Sequence, residues 1–150
     1  WGDSMKGYKF RLQKLLDIRI DIEEEYKRKF QQAQSIKEEV ENRLDSLKTN
    51  YDKYNTVNSK DSIIDRKIKN QYLIALNSSI ESTASELRDK EEAVEEVRLD
   101  LTQKQIERKT VEHLKEKSLQ SFIKEQNLIE QKANDEFALY GFIRNINKKS

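Results

Sequence analysis

Between Gly7 and Gly141 the chain contains no proline and no glycine, so nothing in that span obliges the backbone to leave a helix. That absence constrains the fold more than any motif the sequence carries. A strand-rich or loop-rich domain of this size uses Gly and Pro at its turns, whereas an uninterrupted run of Ala, Leu, Glu, Lys, Gln and Arg favours long helices. Charged residues make up 38% of the 150 residues and hydrophobic ones 35%, a balance that suits solvated helices with a narrow apolar seam. A thick globular core does not fit it. A disordered chain would also be rich in charge, but the large apolar residues here recur at helical intervals.

From Leu15 the apolar positions run through Ile18, Ile22, Tyr26, Phe30, Ala33, Ile36, Val40, Leu44, Leu47, Tyr51 and Tyr54. Their mean step is about 3.55 residues, between the 3.5 of a supercoiled seam and the 3.6 of a straight helix. The spacing predicts a first helix over about 8–54, roughly 70 Å long at 1.5 Å per residue. A helix of that length needs a facing helix to stabilise it. The segment NTVNSKDS at residues 55–62 gathers side chains that compete for backbone hydrogen bonds, and it reads as a polar turn. Asp61 or Ser62 is then placed to cap a second helix. Periodicity resumes at Ile64 and Ile68, continues through Tyr72, Leu76, Ile80, Ala84, Leu87, Val94, Val97 and Leu101, thins between Thr102 and Thr110, and returns at Val111, Leu114, Phe122, Ile129, Ala133, Phe137 and Tyr140. The second helix is expected over about 63–145.

The fold class that follows is all-α, two long helices in an antiparallel coiled-coil hairpin forming one domain over residues 5–150. Residues 1–4, which precede Met5, read as an expression remnant. A hairpin folded about residue 58 sets Phe10 opposite a residue near 106 and leaves 107 onward without an intramolecular mate, either a docking face or a dimer contact. A turn at Asn77, Ser78 and Ser79 would instead pair the chain about its midpoint, but the apolar stripe passes through those residues without a break.

Catalytic chemistry has little to stand on. A metal site in a helical bundle draws on Glu-x-x-His pairs, and the one histidine, His113, has Thr110 three residues before it. There is no cysteine for a thiolate zinc site and no glycine-rich loop for phosphate. Acidic runs such as Glu23, Glu24 and Glu25 fan around a helix and offset neighbouring cations. No cofactor and no enzymatic activity are expected. The net charge is +1 with the signs interspersed, and among the candidate cations Lys104, Arg108, Lys109, Lys115, Lys117 and the tail Lys148 and Lys149, the residues Glu107, Glu112 and Glu116 intervene. Nucleic acid is therefore a poor candidate partner. The longest apolar stretches, as at Leu73 to Leu76, fall far short of the roughly 18 residues that span a bilayer. Without a signal-peptide pattern, a cytoplasmic location and protein partners are expected. Tyr51 and Tyr54, with Tyr72 and Leu76 across the turn, are either coiled-coil core or an exposed anchor, and Phe137, Tyr140 and Phe142 form another aromatic group beside Gly141.

Two strings carry a resemblance: YKFRLQKLLDIR at residues 8–19 and KANDEFA at residues 132–138. Together with the polar turn, the NQYLIAL stretch at residues 70–76 and the Glu- and Gln-rich second helix, they resemble the FliJ family of flagellar type III export proteins across nearly all of the chain from Met5. The resemblance implies a coiled coil similar to the central stalk of rotary ATPases. It also implies three partners: the hexameric export ATPase, the cytosolic domain of the export-gate membrane protein, and export chaperones, at the inner face of the cell membrane. The residues matching the ATPase contacts are Phe10, Leu12, Leu15, Leu16, Arg19, Asp135, Glu136 and Phe137, and those matching the gate contacts are Leu47, Tyr51, Tyr54, Tyr72 and Leu76. A coiled-coil chaperone or scaffold of another secretion or assembly pathway is the alternative.

Overall fold

A computed structural model describes residues 6–149. The stretch expected to be an expression remnant lies outside them. The described chain is all-α: α1 spans Gln13–Tyr54 and α2 spans Ile63–Lys149, together 90% of it, and the two pack against each other with no strand among the described residues. The second helix passes through residues 77–79 without interruption, so the turn is the one at 55–62.

The first helix starts later than its periodicity suggests. Gly7 takes a left-handed φ of 87°, and residues 8–12 supply no Ser, Thr, Asp or Asn to cap a first turn. The chain is gathered instead by the Gln13 amide donating to the Phe10 carbonyl at 3.1 Å, and α1 follows from there. At the other terminus the Asn55 amide donates to Tyr51, and the turn is then shaped by Asn58, whose side-chain oxygen accepts from the Lys60 amide at 3.2 Å and whose carbonyl accepts from Asp61. Ser62 caps α2 reciprocally. Its hydroxyl accepts from the Asp65 amide at 3.1 Å while the Asp65 carboxylate accepts from the Ser62 amide at 3.3 Å, which satisfies two of the unpaired donors at the helix start.

The chain divides into two compact units, one of residues 22–105 and one of residues 1–21 with 106–150. In the turn-bearing unit, Tyr26, Phe30, Ala33, Lys37, Val40, Leu44, Leu47 and Tyr51 of α1 are at least half-buried against Leu73, Leu76, Ile80, Thr83, Leu87, Lys90, Val94, Val97 and Leu101 of α2. Steps of three and four alternate along both stripes, the heptad pattern of an antiparallel coiled coil. Val40, Leu44 and Leu76 are buried, each side chain contributing about 1.5–3 kcal/mol by leaving water. The antiparallel sense shows in the cross-helix contacts: Arg43 reaches Glu86 at 3.0 Å, and the Lys104 ammonium lies 5.4 Å from the Tyr26 ring, which also receives Lys29 at 4.5 Å.

The seam differs from the apolar stripe in several places. Ile18 and Ile36 of α1, and Ile64, Ile68 and Ile106 of α2, are exposed, while charged Lys37 and Lys90 are half-buried in the seam and Glu23 is buried within 3.7 Å of Lys27. Lysine fits such a position because its stem packs while its ammonium reaches water.

In the second unit the residues flanking the start of α1 pack on α2. The Tyr8 hydroxyl donates to the Lys115 carbonyl at 3.3 Å, and its ring meets Phe122 at 5.3 Å between centroids. Lys115 Nζ donates to Gln13 Oε1 at 2.6 Å, and Arg19 Nη1 donates to the Glu107 carbonyl at 2.8 Å. Leu16 and Val111 are its buried apolar residues. These contacts correct the expected register: residues 107–122 have partners within the chain, and the stretch whose residues are all exposed begins at Lys124. The reason is visible at the turn, where Tyr54 meets Tyr72 and not the first residues of α2. The opening turns of α2 run past the last residue of α1, leaving Ile63 85% exposed.

Candidate partner-binding surfaces

Within the turn-bearing unit, the last turn of α1 and the second and third turns of α2 assemble an aromatic surface. Tyr54 and Tyr72 stand edge to face with centroids 5.2 Å apart, and they are 39% and 43% exposed. The T-shaped contact fixes both rings while leaving apolar faces and hydroxyls in water, the combination favoured at protein interfaces. Lys69 clamps the turn beside them by donating to the Thr56 carbonyl at 2.6 Å and approaching Asp61 at 3.6 Å. A shallow groove of about 370 Å³ runs between Tyr54, Asp61, Asp65, Ile68, Lys69 and Tyr72. The remaining residues matched to the gate divide by burial. Leu47 and Tyr51 are half-buried in the seam, and Leu76 is core.

Periodicity alone sets Ile64 and Ile68 in the apolar stripe and passes over Val57 and Ile63. Val57, Ile63, Ile64 and Ile68 are all exposed in the turn and the first turns of α2. The signal was in their phase. Carried back from Leu76 and Leu73 in alternating threes and fours, the buried stripe falls on Lys69 and Arg66, whereas a run of fours through Ile64, Ile68 and Tyr72 drifts about 40° per step around the helix.

In the second unit the residues matched to the ATPase fall in two places. Leu16 is core, Leu12, Leu15 and Phe10 are half-buried, and Arg19 spends its guanidinium on the Glu107 carbonyl. Asp135, Glu136 and Phe137 lie further along α2, about 28 residues and therefore about 40 Å beyond the point Arg19 touches. All three are exposed, with Phe137 at 77%. The structure thus does not gather the eight residues into one patch. It makes a packed group near the start of α1 and an exposed group on α2. The exposed stretch of α2 also carries Leu128, Ile129, Leu139, Tyr140, Phe142, Ile143 and Ile146. Lys6 lies along its beginning, lining a groove of about 440 Å³ with Ile123, Gln126, Asn127, Ile129, Glu130 and Ala133.

Chemistry at these surfaces is that of contact. Among the described residues no group of three or more His, Cys, Asp or Glu is placed to hold a metal, and no helix is long and apolar enough to cross a membrane. The clearest perturbed titration is on the surface: two hydrogen bonds from Arg98 hold the Glu95 carboxyl below its usual range, and Glu95 in turn raises Arg98.

No curated protein and no solved structure matches the chain. Against models of known families it matches the one described as flagellar FliJ protein, over residues 8–147. That match takes in α1, the turn and α2 as far as Asn147, so the chain belongs to the FliJ family and is a flagellar export-related protein.

Proposed function

We propose that the chain is a non-catalytic, stalk-like coiled coil that binds the hexameric export ATPase and the cytosolic domain of the export-gate membrane protein, helping to couple both to substrate export, and that it meets export chaperones at the cytoplasmic face of the membrane. The observation that carries this reading is the family match over 8–147. Supporting it physically, α2 leaves large apolar residues in water from Leu128 to Ile146, which is costly for a chain without partners. In this reading Asp135, Glu136 and Phe137 make the outer ATPase contact. Phe10, Leu12, Leu15, Leu16 and Arg19 act from a packed segment whose rigidity fixes where that contact is offered. The gate contact is made by Tyr54 and Tyr72, with Leu47, Tyr51 and Leu76 holding the two rings from the seam.

Steady-state ATP hydrolysis by the cognate export ATPase tests the proposal. Added protein raises turnover and favours ring assembly, and Phe137→Ala reduces the stimulation. No effect at saturating protein would sink the stalk reading. For the gate, Tyr72→Ala weakens binding to the isolated cytosolic domain without loss of helicity, and an unchanged affinity refutes the patch.

A further inference from the structure

Within the turn-bearing unit, one level of the seam carries like charge on both helices. Lys37 is the half-buried seam residue of α1 between Ala33 and Val40, and Lys90 is that of α2 between Leu87 and Val94. The contacts of Arg43 with Glu86 and of Tyr54 with Tyr72 set the register around them. Counted along both helices from those contacts, Lys37 lies level with residues 89–92, where Lys90 is the seam residue. Among the described residues neither ammonium has a hydrogen bond or an ion pair. Glu23 is different, since Lys27 lies 3.7 Å from that buried carboxylate. Two like charges therefore share one layer, and Ala33 beside them brings only a methyl group to fill it. Packing also changes at this level. Val40, Leu44, Leu76 and Thr83, all buried, lie between it and the turn, whereas Tyr26, Phe30, Val94, Val97 and Leu101 on its other side are only half-buried.

We propose that the layer of Lys37 and Lys90 is a built-in joint of the coiled coil, where α1 and α2 part first and about which the seam flexes while the stretch from Val40 to the turn stays closed. Each lysine stem packs, but its ammonium has to reach water, so a small separation of the helices there sacrifices little apolar burial and relieves the repulsion. A leucine pair at the same level would lose burial on opening and hold the layer shut. The use of such a joint, letting the aromatic surface at the turn adjust its angle to the gate domain, rests on the stalk reading. The joint itself is a property of the chain alone.

The test is amide hydrogen exchange of the full chain, without partners, followed by NMR. Residues 33–37 and 87–91 are expected to exchange about tenfold faster than residues 40–47 and 76–83, while remaining protected relative to an isolated helix. Lys37→Leu with Lys90→Leu slows exchange at residues 33–37 and 87–91 by about tenfold or more, so that the difference between the two sets disappears, and raises the denaturation midpoint. Each single substitution falls between. Lys48→Leu, at an exposed position of α1, leaves the difference in place. Exchange at residues 33–37 as slow as at 40–47 in the parent, a difference that persists in the double variant, or one that Lys48→Leu removes equally well, overturns the joint. Such a result leaves the ATPase and gate contacts standing, and a failed ATPase assay leaves the joint standing.

Discussion

The two units use the same α2 differently. In the turn-bearing unit, residues 22–105, α1 and α2 face each other along a heptad seam with Val40, Leu44, Leu76 and Thr83 buried. In the unit of residues 1–21 and 106–150, among the described residues a short segment from Lys6 to Arg19 faces α2, Leu16 and Val111 are the buried apolar residues, and every α2 residue from Lys124 to Lys149 is exposed. Helix content is the same in both. The lesson is that a continuous helix does not imply a continuous core: in the first unit tertiary packing holds the helix, and in the exposed stretch only backbone hydrogen bonds and propensity do.

Substitutions that remove packing should separate the units most. Leu44→Ala, at a residue 6% exposed, is expected to cost about 2–4 kcal/mol in chemical denaturation. Phe137→Ala should change stability by less than about 0.5 kcal/mol despite removing a larger side chain. Equal costs would break the comparison. A smaller effect belongs to the aromatic pair, where a double-mutant cycle of Tyr54→Ala and Tyr72→Ala should give a coupling of about 0.5–1.5 kcal/mol. Smaller again, Gly141→Ala meets nothing within 4 Å. It should favour the exposed helix locally by up to about 1 kcal/mol, seen as greater helicity with an unchanged denaturation midpoint.

The smallest effect concerns surface ion pairs, which the comparison treats as incidental. Because the Glu95 pKa is lowered in the folded chain, its contribution is present above the ordinary carboxylate range and is lost as pH falls through the lowered value. The pair is fully exposed, so Arg98→Ala should return the Glu95 titration towards its ordinary value in NMR spectra while leaving the melting temperature unchanged.

Much of this architecture is written in residue types. The missing Gly and Pro define the helical span, the polar run at residues 55–62 marks the turn and narrows the cap to Asp61 or Ser62, and an unmatched stretch of α2 follows from unequal helix lengths. Register was harder to read. Periodicity follows apolar residues, and the seam accepts Lys37, Lys90 and Glu23 while leaving Ile18, Ile36, Ile64 and Ile68 outside. Folding about the middle of the turn assumed that both helices end level, whereas Tyr54 meets Tyr72, and so the unmatched stretch was placed too early, from 107 and not from 124. The family resemblance supplied the candidate contact residues but could not say that Leu16 and Leu76 are core or that Arg19 is engaged with Glu107.

The central claim is that the seam holds the molecule together and that α2 beyond Lys124 is offered to partners. Hydrogen exchange on the chain alone and then with the export ATPase tests it most directly. Alone, amides of residues 76–104 and 107–122 should be protected and those of residues 124–149 should exchange close to the rate of an isolated helix; with the ATPase, protection should rise in residues 124–149. Uniform protection along α2 in the free chain, or protection by the ATPase confined to the seam, would contradict the account.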